Sequence, residues 1–163
     1  MVAVMMCAST AATSATALRP YLSVVIPAYN ERTRLPATLE ASLSYLRSTH
    51  RPWELIVVDD GSTDDTWTHI QQACASYGER ATCLKLPSNR GKRHALYEGF
   101  SIARSSIVVT LDSDSSLRGE SLRNLIAPMV NDPTIGAVAG KVLVQNRNQS
   151  LLTRMLGVRY ILG

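Results

Sequence analysis

Three short apolar runs constrain the fold of this chain more than any other feature. LSVVIP ends at Pro27, WELIVVDDGS begins at Trp53, and SIVVTLD ends at Asp112. Their apolar residues are continuous rather than alternating, which is typical of strands buried on both faces of a parallel sheet. The chain is therefore predicted to build a sheet that is covered on both sides.

Helical patterns lie between these strands. RLPATLEASLSYLR carries a stripe of leucines at helical spacing, and Pro36 falls in its first turn, where proline is tolerated. A second helix is predicted to begin at Ser62, three residues before Asp65, because this spacing resembles a capping box. A third is predicted from about Lys92 to Arg104. ESLRNLIAPMV and IGAVAGKVLV then predict one more helix and one more strand, so the alternation favours an open, mostly parallel α/β sheet with helices on both faces.

Composition favours one domain and excludes several classes of protein. The chain has 163 residues and is 45% hydrophobic, which is enough for a single core. Its net charge of +4 comes from scattered Lys and Arg without a basic run, which argues against a nucleic-acid partner. The three cysteines include no CxxC pair, so neither a disulfide framework nor a zinc cluster is indicated.

The amino-terminal residues differ in composition from the rest of the chain. The first 18 residues carry no charged side chain and are rich in Ala, Ser and Thr. They lack the basic start of a signal peptide and the apolar length of a membrane span. We expect residues 1–20 to form a disordered leader, with a degenerate targeting segment as the alternative, and residues 21–163 to form the domain.

Polar loops follow the predicted strands. Ligands of open α/β sheets bind beyond the carboxyl ends of the strands, so these loops are expected to surround one ligand. The loops are PAYNE, DDGS, SNRGKR and DSDSS.

Each loop also has a purely structural explanation. Asp59, Asp60 or Ser62 can cap the following helix, although two successive acids leave one without that role. Glu31 can be a solvated loop residue. Lys92 opens a helix whose dipole disfavours a cation, and such a local conflict often marks a functional position.

Asp112 and Asp114 form an acidic pair. In an extended segment, residues at alternate positions point to the same side, and a divalent cation relieves the repulsion between their charges. Turn formation is the alternative. Oxygen ligands favour Mg²⁺ or Mn²⁺, which could bridge a diphosphate while Lys92 offsets the remaining phosphate charge. No GxGxxG follows a strand and NRGKRH lacks the residues of a P-loop, which argues against a nicotinamide enzyme and a P-loop NTPase.

The loops and their flanking residues resemble one known family. LSVVIPAYNE, IVVDDGSTDDT, NRGKRHALYEGF and LDSDS are similar, in order and spacing, to the donor-binding half of family 2 inverting glycosyltransferases. The similarity runs from about Tyr21 to Tyr160. It implies the GT-A fold of nucleotide-diphospho-sugar transferases, a Rossmann-like open sheet, and it implies an enzyme that transfers a hexose.

The resemblance also implies which residues bind the donor and the metal. Asp112 and Asp114 correspond to the pair that holds Mg²⁺ or Mn²⁺, and Asp60 to a contact with the nucleotide base and ribose. The residues expected to line the nucleotide are Pro27, Ala28, Tyr29, Glu31, Asp60, Lys92 and Asp112.

Two branches of the family share these motifs. GKRHALYEGF, DSDSSL and the residues after them are similar to processive membrane synthases of the hyaluronan, chitin and Nod-factor type. IPAYNERTRLPATLEASLSYL is similar to dolichyl-phosphate and polyprenyl-phosphate sugar transferases. We favour the synthases because that similarity extends past Asp114. The resemblance then implies transfer from a UDP-sugar to a growing polysaccharide or other glycan or lipid-linked acceptor, by a membrane-associated protein whose active site is cytoplasmic.

The chain departs from the family pattern after the acidic pair. In the synthases a catalytic acid, a Q-x-x-R-W segment and transmembrane helices follow, and none of these precedes Gly163. Asp132, in NDP, is typical of a helix-ending turn. We therefore expect a truncated donor-binding part that holds a donor without completing transfer, has no assignable catalytic residue and has no clear membrane span. The alternative is a non-catalytic remnant that binds sugar nucleotides.

Overall fold

The computed structural model describes residues 2–6 and 20–140. The strands are β1 Val2–Met6, β2 Leu22–Ala28, β3 Trp53–Asp59, β4 Ala81–Lys85, β5 Ile107–Leu111 and β6 Ala137–Ala139. The helices are α1 Leu35–Ser48, α2 Thr66–Cys74, α3 Lys92–Ile102 and α4 Ser121–Asn131, and a 3₁₀ segment, Ala75–Arg80, follows α2.

The strands of the described ranges form one sheet in the order β4-β3-β2-β5-β1-β6. From β4 to β5 every neighbouring pair is parallel. Strand β1 runs antiparallel to both β5 and β6. The predicted open, mostly parallel α/β sheet is therefore confirmed.

The amino-terminal segment differs from the predicted disordered leader. Val2–Met6 forms a strand, with Val4 opposite Val109 of β5 and opposite Val138 of β6. An open sheet edge presents unpaired backbone groups that an uncharged extended segment can pair with. Because the partners lie more than a hundred residues away, nothing in the local composition predicts this pairing. The remainder of the predicted leader, residues 7–19, lies outside the described residues.

Helices cover both faces of the sheet. Every residue of β2 and β3 is buried, as their continuous apolar runs predict. Successive side chains alternate between two clusters, so Val24 packs in the cluster with α1, α2 and α4, whereas Val25 packs with α3. The polar loops are left to extend from the carboxyl edge of the sheet.

Two predicted boundaries differ from the structure. Helix α2 begins at Thr66 rather than at Ser62, and its N-cap residue, Asp65, makes no side-chain capping hydrogen bond. Ser62 instead accepts a hydrogen bond from the loop after β2, so a tertiary contact replaces the predicted capping box. The strand predicted over IGAVAGKVLV is present at Ala137–Ala139, and its residues from 141 onward lie outside the described residues.

Candidate functional site

The loop after β2 is fastened to the loop after β3. The backbone N–H of Asn30 donates to Oγ of Ser62 at 3.0 Å, and the N–H of Thr63 donates to Oδ1 of Asn30 at 2.9 Å. The N–H of Glu31 donates to Oγ1 of Thr66 at 2.8 Å. Asn30 has φ 52, a left-handed conformation that asparagine tolerates better than most residues. The two loops therefore form one connected surface.

The predicted nucleotide residues at the end of β2 differ in exposure. Pro27 and Ala28 are buried in the sheet, and the carbonyl of Ala28 accepts the N–H of Asp60 at 2.8 Å. Tyr29, the next residue, is 42% exposed. Of these three residues, only Tyr29 has an exposed side chain.

The carboxylate of Glu31 is occupied by Arg34. The guanidinium donates from Nε and Nη2 to the two carboxylate oxygens at 2.8 and 2.7 Å, and this bidentate pair raises the pKa of Arg34. Nη1 of Arg34 also lies 3.8 Å from Oδ2 of Asp114. Arg34 was not predicted as a site residue. The sequence does indicate its pairing with Glu31, because residues three apart at the start of a helix lie close together. Glu31 thus holds the guanidinium of Arg34 near Asp114 of the acidic pair.

Asp60 contacts the loop after β4. Its side chain is buried, and its oxygens accept the backbone N–H groups of Arg90 and Gly91 at 3.0 and 2.8 Å. The neighbouring Gly61 has φ +70, and a Cβ placed there would lie 2.5 Å from the carbonyl carbon of Ser88. The turn after β3 and the loop after β4 are therefore in direct backbone contact. The predicted contact of Asp60 with a base or ribose stays a prediction.

Lys92 contacts the acidic pair. Its Nζ lies 2.6 Å from Oδ1 of Asp112, with the two side chains 49% and 26% exposed. Partial burial acts to raise the pKa of Asp112, but the hydrogen bond and positive charge of Lys92 contribute to a pKa below its ordinary value. The cation that local rules disfavour at the start of α3 is thus matched by a carboxylate from the end of β5.

The acidic pair lies in a turn, so the predicted extended segment is wrong. Strand β5 ends at Leu111, and the N–H of Ser115 donates to the carbonyl of Asp112 at 2.9 Å. Asp and Ser favour such turns because their short polar side chains bond to nearby backbone groups. Asp114 is consequently 53% exposed at the side chain, next to Arg34.

The acidic pair fits part of a site for a hard divalent cation. Mg²⁺ and Mn²⁺ favour oxygen ligands, and Mg²⁺ in particular retains water or phosphate oxygens beside one or two carboxylates. Within residues 2–6 and 20–140, no group of three or more His, Cys, Asp or Glu side chains is placed to hold a metal. Asp112 and Asp114 therefore offer oxygen atoms of the kind that such an ion binds, and in this structure the two carboxylates contact Lys92 and Arg34 respectively.

Asp59 carries an unsatisfied oxygen that the sequence did not reveal. Its side chain is fully buried, and Oδ1 accepts the N–H of Ser62 at 3.2 Å. Oδ2 is buried without a hydrogen-bond partner in the described part of the chain. Such an atom in a native structure calls for a water, an ion or a ligand group.

The contacts join all four loops at one edge of a largely parallel sheet. This arrangement defines the class of α/β proteins that bind ligands beyond the carboxyl ends of their strands. Residues 23–157 match the family model described as Glycosyl transferase family 2. The chain belongs to this family, and its fold is the GT-A fold of such enzymes.

Relatives with named activities share a large part of this chain. An N-acetylglucosaminyltransferase of Azorhizobium caulinodans is 32% identical over 149 residues, which are 90% of this chain and 36% of the relative. An undecaprenyl-phosphate 4-deoxy-4-formamido-L-arabinose transferase of Pectobacterium carotovorum is 36% identical over 105 residues, 64% of this chain and 32% of the relative. The chain therefore spans about a third of the length of these relatives.

Solved structures share the fold. A mannosyltransferase from Pyrobaculum calidifontis in complex with GDP-Man and Mn²⁺ superposes with a TM-score of 0.62 and 28% identity, covering 72% of this chain and 34% of that one. Glucosyl-3-phosphoglycerate synthase from Mycobacterium tuberculosis, with Mn²⁺, UDP and glucosyl-3-phosphoglycerate, superposes with a TM-score of 0.53 and 27% identity, covering 68% of this chain and 39% of that one.

In the ranges that the structure describes here, no helix has the length and apolarity to cross a bilayer.

Proposed function

We propose that this chain binds a nucleotide-diphosphate sugar at the carboxyl edge of its sheet, as the donor-binding part of an inverting, metal-assisted glycosyltransferase. The observation that carries the proposal is the contact of Lys92 with Asp112. This contact joins the Lys92 ammonium, which would pair with phosphate, to one of the two carboxylates that would hold a metal, and the second, Asp114, lies two residues further along the same turn. The match to the glycosyltransferase family supports the same assignment.

The donor in this proposal is a UDP-sugar. Tyr29, the exposed aromatic residue after β2, faces the nucleoside, and Lys92 pairs with the diphosphate. UDP is bound in the similar structure from Mycobacterium tuberculosis, which supports uridine. GDP-Man in the structure from Pyrobaculum calidifontis makes GDP the comparison ligand for any test.

The proposed reaction is a single displacement. An acceptor hydroxyl attacks the anomeric carbon from the side opposite the diphosphate, the bond from that carbon to the diphosphate oxygen breaks, and the configuration inverts. A divalent cation held by Asp112 and Asp114 would supply positive charge to the departing diphosphate. The residues of this chain bind and orient the donor. We assign no residue between 20 and 140 as the base that takes the proton of the acceptor hydroxyl.

The proposed acceptor is a growing polysaccharide, and we propose that the enzyme is associated with a membrane. The similarity to an N-acetylglucosaminyltransferase over 90% of the chain supports it. A lipid phosphate is the second candidate acceptor, because a relative named for transfer involving undecaprenyl phosphate aligns with 64% of this chain. A remnant that binds sugar nucleotides without transfer is the third candidate.

Calorimetry with UDP and GDP, with and without Mn²⁺, tests the proposal. We expect UDP to bind the unsubstituted chain more tightly when Mn²⁺ is present, and Asp114→Asn to remove most of that gain, since the acid acts through the cation. Glu120→Gln, which alters an exposed acid on another surface, is the control and should keep the full gain. Failure of both nucleotides to bind, with or without Mn²⁺, would overturn the proposal.

Incubation with UDP-sugars and an acceptor then separates transferase from remnant. Transfer to chitooligosaccharide would favour the polysaccharide acceptor, and transfer to undecaprenyl phosphate the lipid acceptor. Binding without transfer or donor hydrolysis would favour the remnant.

A further inference from the structure

We infer that Arg34 is a positioning residue that acts on the metal through Asp114: in the ligand-free chain its guanidinium neutralises this carboxylate, so a divalent cation binds weakly until a diphosphate competes for the guanidinium. The inference rests on the proposed function for the identity of the nucleotide. It assigns to a residue outside the acidic pair the control of how strongly metal binding and nucleotide binding are coupled.

Each carboxylate of the acidic pair contacts a cation of the protein. Nζ of Lys92 lies 2.6 Å from Oδ1 of Asp112, and Nη1 of Arg34 lies 3.8 Å from Oδ2 of Asp114. A carboxylate that binds a metal ion must share or release its existing cation, and a cation that stays nearby repels the ion. In the ligand-free chain the pair therefore attracts a metal less strongly than two unpaired carboxylates would.

The guanidinium of Arg34 is held in place by Glu31. Its Nε and Nη2 donate to the two carboxylate oxygens of Glu31 at 2.8 and 2.7 Å. Glu31 is itself fixed, because its backbone N–H donates to Oγ1 of Thr66 at 2.8 Å and its side chain is 15% exposed. The planar guanidinium loses little freedom in such a bidentate pair. The positive charge of Arg34 therefore stays beside Asp114, although both of these side chains are more than half exposed.

A diphosphate changes this balance of charge. Arginine binds phosphate oxygens as well as carboxylates, so a bound diphosphate offers the guanidinium of Arg34 a second anion. The added negative charge also offsets the repulsion between Arg34 and a metal ion at Asp114. Arg34 should therefore weaken metal binding more in the absence of UDP than in its presence. By linkage, UDP and the metal raise each other's affinity by the same factor, and Arg34 increases that factor.

Binding of Mn²⁺ without nucleotide is the first test. Electron paramagnetic resonance measures free Mn²⁺ in titrations of the unsubstituted full chain, Arg34→Ala and Arg32→Ala. Arg34→Ala should bind Mn²⁺ roughly three- to tenfold more tightly, because an exposed pair of single charges is worth up to about fivefold and a divalent ion is repelled twice as strongly.

Arg32→Ala is the matched control. It removes the same charge from the same loop at an exposed residue, whose backbone N–H bonds to Asp64. Its effect on Mn²⁺ affinity should be less than about twofold, because water and salt screen exposed charges that are not in contact with the ion.

A second background separates the release of Asp114 from the release of Glu31. Removing Arg34 also frees the carboxylate of Glu31, which would then be available to the ion. Mn²⁺ affinity is therefore compared in Glu31→Gln and in the double variant Glu31→Gln/Arg34→Ala. The loss of Arg34 should still strengthen Mn²⁺ binding by at least about twofold when residue 31 carries no charge.

Titration with Mn²⁺ at saturating UDP measures the coupling. UDP should raise the Mn²⁺ affinity of the unsubstituted chain, and the factor by which it does so should be at least about threefold smaller in Arg34→Ala. An unchanged factor would mean that Arg34 acts on the metal equally with and without UDP, which contradicts the inference.

Three further results would overturn the inference. They are a Mn²⁺ affinity without UDP that Arg34→Ala fails to raise, a gain that Arg32→Ala equals, and a gain that disappears in the Glu31→Gln background. Failure of UDP to bind, with or without Mn²⁺, would instead overturn the proposed function. In that case the titrations with Mn²⁺ alone still decide whether Arg34 weakens metal binding through Asp114.

Discussion

The ammonium of Lys92 is held by a carboxylate twenty residues further along the chain. A partly exposed ion pair contributes about 0 to 1 kcal/mol. A cation in the first turn of a helix costs about 0.3 to 1 kcal/mol. Because these two terms nearly cancel, stability alone gives little reason for a lysine here, and binding of an anionic ligand gives a stronger one.

Lys92→Ala should accordingly leave the stability of the ligand-free chain nearly unchanged. We expect its free energy of unfolding to change by less than about 1 kcal/mol. UDP affinity should fall about ten- to a hundredfold, while uridine affinity is little affected, because only UDP carries the diphosphate. Urea unfolding and titration with both ligands measure these effects. Arg93→Ala, at the next exposed position, is the control, and an unchanged UDP affinity in Lys92→Ala would remove this residue from the site.

The two described cysteines should differ in reactivity. Cys74 is 4% exposed, and its hydrogen bond with Cys83, together with burial, raises the pKa of its thiol. The same hydrogen bond lowers the pKa of Cys83, against the opposing effect of burial. Since the thiolate is the nucleophile, Cys83 holds the reactive form at lower pH than Cys74 does.

Alkylation with iodoacetamide at pH 8, followed by peptide mass spectrometry, tests this difference. In the folded chain, Cys83 should react at least about tenfold faster than Cys74. In urea the two rates should converge, because the hydrogen bond and the burial are lost. Equal rates in the folded chain would contradict the expectation.

Among the elements, α3 approaches the sheet through a glycine. Gly99 is buried, and a Cβ built there would clash with Cγ1 of Val25 in β2. The absence of a side chain therefore sets how closely the helix that begins with Lys92 lies against the strands. Local propensity alone would favour alanine at this position by about 1 kcal/mol.

Gly99→Ala should destabilise the protein despite that propensity. Forcing a methyl group into this contact requires Val25 or the helix to move, at a cost of typically about 1 to 3 kcal/mol. Urea unfolding measures the change. Gly136→Ala, where nothing lies within 4 Å of the added carbon, is the control and should be nearly neutral. A more stable Gly99→Ala variant would show that the helix and sheet can separate freely.

Across the whole molecule, a buried polar network joins the starts of several elements. Glu54 of β3, 2% exposed, accepts the hydroxyl of Ser23 in β2 at 2.5 Å. It also accepts the N–H and Nε of Arg104, after α3, at 2.6 and 2.7 Å. The N–H of Ser105, which precedes β5, donates to Oγ of Ser23 at 3.1 Å. The network lies at the amino ends of parallel strands, opposite the candidate site.

Glu54→Gln should lower stability without altering nucleotide binding. The amide group cannot accept all three donors, and one buried group left unpaired costs about 1 to 3 kcal/mol. UDP affinity of the folded protein should be unchanged, because no site residue belongs to the network. Thermal unfolding and calorimetry measure the two effects. Arg123→Ala, in an exposed pair with Glu120, should change stability by no more than about 0.5 kcal/mol, whereas a loss of UDP affinity in Glu54→Gln would contradict the separation.

The sequence by itself determined the class of fold and the edge at which the loops meet. Strands buried on both faces need continuous apolar runs, as in β2 and β3, and amphipathic helices need a leucine stripe, as in α1. These signals act over a few residues and are therefore visible in the chain itself. Parallel strands then bring their carboxyl ends, with loop residues such as Asp60 and Lys92, to one edge.

Only the tertiary structure decided which partner each polar group has. Asp60 could have capped α2, but it accepts backbone N–H groups about thirty residues away, and Ser62 bonds to Asn30 instead of starting a helix. Arg34 reaches Asp114, and Val2–Met6 pairs with β5, across still longer separations. A hydrogen bond or ion pair forms between groups that the fold brings within about 3 to 4 Å, and local propensity carries no information about that distance.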